Sequence, residues 1–347
     1  MNRLLSLSMA ALLAFGLAAC GGEEDKSSSD TSSTPVETPK EYSELLFDKN
    51  FAEGIDISSL QSQQVAYTPW RYGTPTVDEP YWNLGQYGDL STTRNGYDSS
   101  VNDLFPGNIF EDPKGISGTD GDYYTLTNQS GSKYMSVNPS VGEVNLNIDS
   151  SKEYIDQSTG ALQPRREGED WIHMILSQTA GVVYLDEVDE LIMELDFTLT
   201  ECEIYDNSIG AAQFQWIFSV HDKASSAMEK EYFWFNVTLF DNRYEIFPGT
   251  QMFDGGKADA TGKFIFAPTG QQLFGESGGK VEVGTTYHIR LNLKEYMQNA
   301  FNIAKEKGAL KNSSWENMAV NGFNIGWEVS NVSKVGVKIS NMSLKTK

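Results

Sequence analysis

From Asp170 onward the chain alternates apolar and polar residues with period two, the signature of strands that bury one face. Leu191, Met193, Leu195, Phe197 and Leu199 form one such series, and Phe214, Trp216, Phe218 and Val220 a second. Phe233, Phe235, Val237 and Leu239 form a third, and Tyr287, Ile289, Leu291 and Leu293 a fourth. Phe323, Ile325, Trp327 and Val329 alternate again, and a last strand near Val335–Leu344 changes phase partway, which predicts a β-bulge. One stretch breaks the rule. Met297, Ala300, Phe301 and Ala304 fall on one face of a helix between Lys294 and Lys307, with Gly308 placed to end it.

The amino-terminal part has a weaker pattern. Residues 41–165 are rich in turn signals, with Asn-Gly at 95–96, Pro-Gly at 106–107 and Asp-Gly at 120–121. Short strands are expected at Asp122–Thr127, Lys133–Val137 and Glu143–Asn147. The stretch Tyr67–Tyr97 scatters Trp70, Tyr72, Tyr81, Trp82 and Tyr87 among Pro and Gly and reads as a long, structured aromatic loop. No fixed-period repeat is present, which argues against a solenoid or propeller.

Many antiparallel strands, frequent turns and one short amphipathic helix predict an all-β fold, two packed sheets of jelly-roll type. The Gly326-Trp327-Glu328 strand followed by a closing strand resembles the carboxyl-terminal end of concanavalin A-like lectin and glucanase jelly rolls. The expected organisation is a single sandwich over 41–347 whose first part, 41–165, is irregular.

The first residues change the picture of where such a domain works. Arg3, an apolar run from Leu4 to Leu17 and the small residues Ala18-Ala19 describe a secretory signal peptide over 1–19. The run is shorter than the roughly 20 residues of a comfortable membrane span. Leu17-Ala18-Ala19-Cys20 resembles the lipobox of bacterial lipoproteins. That resemblance implies lipidation of Cys20, a membrane partner through the lipid, and residence in the cell envelope. Gly21 after the cysteine favours the outer membrane in that family, with the facing side left open. Residues 20–40 hold Val36 as their one aliphatic side chain among Ser, Thr, Pro and acids, the composition of a disordered tether. With Cys20 lipidated, Cys202 has no disulfide partner and reads as a small buried hydrophobe.

Charge narrows the partners. The formal net charge of -22, from 48 acids against 26 bases, repels nucleic acid and anionic head groups. The 7 Trp, 16 Tyr and 18 Phe on such a chain suit neutral sugars, whose C–H faces stack on rings.

The polar positions of the strong strands carry the candidate chemistry. Gln213, Gln215, Tyr232, Trp234, Asn236, His288 and Arg290 are amides, rings and cations suited to grip vicinal hydroxyls, and they are expected on one sheet face with Glu194, Asp196 and His221. The favoured reading is a lipid-anchored carbohydrate-binding protein holding a neutral oligo- or polysaccharide. A polysaccharide-degrading enzyme of the same architecture is the alternative, and a structural or adhesion lipoprotein with a protein partner a third. Glu194-Leu195-Asp196-Phe197 is similar to the start of the retaining signature of laminarinase-type glucanases, which needs two carboxyls about 5 Å apart. The next acid, Glu201, has the opposite parity. A lyase-type site is conceivable around His173, Gln178 and Arg243, with the histidine as base. The histidines lack metal-ligand spacing, so no metal is expected at the site, and no phosphate loop, dinucleotide fingerprint or nucleophile elbow implies a cofactor. Asp-rich turns at Asp120–Asp122 and Asp254–Asp259 are candidates for a structural Ca²⁺.

Overall fold

The computed structural model describes residues 41–60, 67–94, 96–107, 113–156, 158–179, 181–224, 231–255, 260–275 and 278–347. The signal peptide, Cys20 and the tether therefore lie outside the described residues, as does Asn95 of the expected Asn-Gly turn.

The first half contributes β1 (Ser43–Glu44), β2 (Ile55–Ser58), β3 (Tyr67–Trp70), β4 (Trp82–Tyr87), β5 (Ile116–Asp120), β6 (Tyr123–Thr127), β7 (Lys133–Asn138), β8 (Glu143–Asp149) and β9 (Ile172–Gln178). There follow β10 (Val183–Tyr184), β11 (Leu191–Asp206), β12 (Ala212–Asp222), β13 (Tyr232–Asp241), β14 (Thr250–Phe253) and β15 (Phe264–Ala267). Helix α1 (Gly270–Phe274), β16 (Thr286–Asn292), helix α2 (Leu293–Glu306), β17 (Met318–Val329) and β18 (Val332–Thr346) complete the chain.

These strands build a two-sheet β-sandwich of the jelly-roll class. An 8-stranded sheet, called A below, runs β16-β11-β18-β8-β7-β6-β5, with β1 also on β18. A 10-stranded sheet, B, runs β14-β15-β13-β12-β17-β9-β4-β2-β3, with β10 also on β17. The apolar positions of the predicted series meet between the sheets: Phe197, Phe214, Trp216, Phe218, Phe233, Phe235 and Trp327 are all fully buried. Helix α2 caps on Asn292, turns Met297, Ala300, Phe301 and Ala304 inward, and touches β11 of one sheet and β13 of the other, so it closes one side of the sandwich.

Residues 41–165, expected as the irregular first part of the sandwich, contribute strands to both sheets. Their strands β5–β8 extend sheet A and β2–β4 extend sheet B. The stretch 67–97 is not an aromatic loop presented to a ligand. It contributes β3 and β4, and Trp70, Tyr72, Trp82 and Tyr97 are buried in the core. Of the Pro and Gly that suggested a loop, Pro69 lies within β3 and Gly85 within β4, and the others fall in the connections.

The predicted phase change in the last strand is a bulge. Asp196 faces Ser340 and Glu194 faces Ser343, so Asn341 and Met342 both lie opposite Leu195. Asn341 takes a left-handed backbone, φ 53°, a conformation Asn tolerates better than most residues.

Gly326 sets the spacing beside the candidate site. A Cβ there would sit 2.0 Å from the Met174 carbonyl oxygen of the neighbouring β9. Gly326→Ala must therefore push β9 and β17 apart. The expected loss is about 1–3 kcal/mol of unfolding free energy, the usual range for overpacking. Urea denaturation measures it, and an unchanged midpoint would contradict the close approach.

Candidate functional site

The ten polar positions expected on one face divide between two opposite surfaces. Glu194, Asp196, His288 and Arg290 belong to β11 and β16, on the outer face of sheet A. Gln213, Gln215, His221, Tyr232, Trp234 and Asn236 belong to β12 and β13, on the outer face of sheet B, and His173 of β9 joins them. The alternation of each strand was readable, but not which sheet the strand enters.

On sheet B, cross-strand pairing aligns the side chains in rows. One row runs Tyr87–His173–Glu328–Gln213–Asp241 across β4, β9, β17, β12 and β13. A parallel row runs Asp56–Asn83–Ser177–Asn324–Ile217–Asn236. Amides, a hydroxyl and carboxylates thus occupy consecutive strands.

Glu328 is the centre of this arrangement. Gln215 Nε2 donates to its Oε2 at 2.8 Å. The oxygen of that amide accepts from Asn236 Nδ2 at 3.1 Å and Thr238 Oγ1 at 3.0 Å, which fixes the amide with its NH₂ toward Glu328. The other carboxylate oxygen, Oε1, lies 3.6 Å from His173 Nε2. The two side chains are 22% and 18% exposed, so both are within reach of a ligand. Trp171 stacks parallel to the His173 ring at 6.2 Å between centroids, and Tyr87 meets it edge-on at 5.4 Å. Buried polar atoms at the site have unused capacity: His173 Nδ1, Asn236 Oδ1 and the nearby Arg165 Nε find no hydrogen-bond partner among the described residues.

At the far end of β12 and β13 lies an aromatic platform. Tyr232 stacks on His221 at 4.7 Å, Trp234 packs edge-on against Tyr232 at 5.2 Å, and Lys263 sits over the Tyr232 ring at 4.7 Å. The platform and the Glu328 row lie at opposite ends of the same strands, with the amide rows between them.

Two expected constellations are not assembled. Arg243 is committed to Asp241, with Nε at 2.9 Å and Nη2 at 2.6 Å, and Asp241 also accepts from Gln213. Gln178 points inward and clamps the Phe47 backbone through both ends of its amide. His173 instead stands beside the Glu328 carboxylate, whose charge opposes a uronate, so the lyase-type grouping of His173, Gln178 and Arg243 does not form. The retaining signature fails for another reason. A register shift between Leu199 and Glu201 does return Glu201 to the polar face, where it pairs with Lys334. It lies five residues beyond Asp196, roughly 17 Å along the strand at ~3.4 Å per residue, far beyond the separation that chemistry requires.

Glu328 itself was missed. Its strand was legible, but the register that sets Glu328 between Gln213 and His173 has no signature in the sequence. Of the calcium candidates, Asp254 spends one carboxylate oxygen on the Thr261 backbone and hydroxyl, each at 2.7 Å, and Asp259 lies outside the described residues. Cys202 is half-buried and burial pushes its thiol up, in keeping with a packing role.

No known protein-family model and no curated protein matches the chain. Among solved structures, it is similar to an endoglucanase from Rhodothermus marinus, at 11% identity and a TM-score of 0.34 over 67% of this chain and 98% of that one. A family 12 xyloglucanase from Bacillus licheniformis gives 12% and 0.36 over 67% and 96%. A family 11 xylanase from Neocallimastix patriciarum gives 7% and 0.34 over 68% and 96%. Likenesses of this size assign no residue of this chain a role.

The Trp171 end of this face is held by a buried ion pair. Arg94 Nη2 meets Glu169 Oε2 at 2.7 Å, both side chains 3% exposed, and the guanidinium also bonds the Gln163 and Pro164 carbonyls. Burial pushes the Glu169 carboxyl up, but hydrogen bonds from Arg94 and the Arg166 amide and the guanidinium charges outweigh it and hold it below the ordinary range. A carboxyl so depressed stabilises the fold above its unfolded-state pKa and loses that contribution as pH falls through the folded value. Arg94→Met leaves Glu169 buried with only the Arg166 amide and, at 3.9 Å, its guanidinium, at an expected cost of about 3–5 kcal/mol at neutral pH. Urea titrations should show that cost shrinking in acid as Glu169 protonates. A cost independent of pH would contradict the pairing.

Proposed function

We propose that the domain binds a neutral carbohydrate chain across the outer face of sheet B. The observation that carries this reading is the alignment of amides, a hydroxyl and one pre-oriented carboxylate in adjacent rows, flanked by exposed-edge aromatics at both ends. Planar amides and carboxylates take vicinal hydroxyls in pairs, and Trp and Tyr faces stack on sugar C–H surfaces. Gln213 and Asn236 supply hydrogen bonds while Gln215 orients Glu328, Trp234 braced by Tyr232 forms one stacking platform, and Tyr87 and Trp171 the other. The acidic field of the whole chain favours a neutral ligand over a uronate polymer.

Trp234→Ala should weaken glycan binding by roughly 1–3 kcal/mol, the scale of a lost aromatic anchor. A glycan array followed by titration of the full chain with each hit measures it, and unchanged affinity in a folded variant would remove Trp234 from the site.

A second reading, cleavage of the bound glycan, has its own support in Glu328. Its Oε2 is tied by Gln215 while Oε1 faces His173, the posture of a group that holds or gives up a proton. Product analysis on every array hit separates the two. Intact ligand supports binding alone, whereas new reducing ends that vanish in Glu328→Gln, with binding retained, support hydrolysis.

The same proposal places the domain in the cell envelope, tethered through residues 20–40 to a lipid on Cys20. Cys20→Ser should release the protein from the membrane fraction into the soluble fraction. Retention of the variant on membranes would contradict the lipid anchor.

A further inference from the structure

The outer face of sheet A carries a separate notch of about 330 Å³. It exists because β18 changes neighbours. Strand β8 leaves it at Ile339 and β1 joins it only at Lys345, so the bulged stretch between them has no strand on that side. The Val141-Gly142 turn and the Lys49-Asn50 segment wall the opening. Gly142 holds a left-handed backbone there, φ 65°, which favours glycine.

Convergent polar groups line the notch. His288 Nδ1 lies 2.7 Å from Asp196 Oδ1, and Asn341, brought outward by the bulge, donates to Asp196 Oδ2 at 2.6 Å. Asp196 thereby has a partner on each oxygen and steadies the imidazole. Glu194 is different. Its oxygens lie 3.4 Å from His288 Nε2 and 3.4 Å from Lys345 Nζ, both long for hydrogen bonds, so carboxylate and ammonium keep capacity for a ligand. Lys49 is shared with Glu44 at 3.0 Å. Two ammonium groups thus stand among three carboxylates beside an imidazole, a set that disfavours an anion. Donors and acceptors side by side suit hydroxyls, which both give and accept hydrogen bonds. Met342 and Val141 add apolar surface to the same notch. The volume lies at the small end of ligand sites.

We propose that this notch is a second carbohydrate site, taking a single neutral sugar unit, on the face opposite the groove. It does not depend on the groove reading. Two sites on opposite faces would let one molecule bridge two glycan strands or grip one chain end while the groove holds another segment.

Calorimetric titration of the full chain with glucose, galactose, mannose and xylose tests it. At least one should bind. Glu194→Gln, equal in size, should weaken that binding about tenfold, the loss of one charge-assisted hydrogen bond, with Lys345→Ala as the parallel variant should Glu194→Gln not fold. Trp234→Ala should leave it unchanged. Binding of a longer oligosaccharide should respond in the opposite way, sensitive to Trp234→Ala and not to Glu194→Gln. The proposal is overturned if none of the four sugars binds, if the folded notch variants bind as the parent does, or if Trp234→Ala abolishes monosaccharide binding, which would place the sugar in the groove.

Discussion

The site on sheet B depends on one buried contact between the sheets. Trp327 of β17 is fully buried, and its indole N–H donates to the Leu146 carbonyl of β8 at 2.9 Å. The ring also meets Phe214 and Phe240 edge-on. An indole fixed inward by packing and a hydrogen bond leaves its strand no freedom of register, because a slip of one residue would exchange the buried and exposed faces. Glu328 must then face outward, and Gly326, which also faces outward, lets β9 approach closely enough to set His173 beside it. The carboxylate is therefore positioned from behind, by the core, before any surface residue touches it.

The irregular stretch between β8 and β9 is held by buried charge as well as by the buried Tyr154 ring. Lys133 and Glu153, both fully buried, meet at 2.6 Å. Ser132 and Tyr97 donate to the same carboxylate, and the ammonium also bonds the Asn102 carbonyl. Desolvation by burial, followed by the charge of the Glu153 carboxylate, pushes the Tyr97 hydroxyl well above its ordinary range, so the phenol stays a donor. Such a pair adds little net stability over an apolar substitute, but losing either partner is costly because the other is left charged in the core. With Arg94–Glu169 it forms two polar anchors under the segments that lead into Trp171 and His173. Loops anchored this way need no disulfide, which fits a chain whose cysteines are Cys20 and Cys202.

How much of this was legible follows from what a period-two pattern encodes. It gives the face of each residue within its own strand, so the core side of β11, β12, β13, β16 and β17 was readable, as were the bulge near 341 and helix α2. It does not encode which strand lies beside which. Glu194 and Gln213 look alike in sequence, yet β11 pairs with β16 and β18 while β12 pairs with β13 and β17. That is why one expected polar face became two, and why Glu328 escaped notice. Trp70 and Trp82 misled for a different reason. Short strands broken by Pro and Gly show too few alternations to distinguish a core aromatic from a displayed one.

The split clarifies the chemistry available to each surface. On sheet A the acids Glu194 and Asp196 lie two residues apart on one strand, with the His288 imidazole between them, and on sheet B Glu328 faces amides from the neighbouring strand. A double-displacement glycosidase needs two carboxyls at close range, one to attack and one to shuttle the proton. On the sheet B row, the position across from Glu328 is Gln213, and the hydrogen bond to its Oε2 comes from Gln215. Asp241, the other acid of that row, is neutralised by Arg243 and buried. An amide in that place can donate to a hydroxyl or hold a carboxylate still, but it cannot attack a sugar carbon. Among the described residues, Glu328 therefore lacks the second close carboxyl that a double displacement requires.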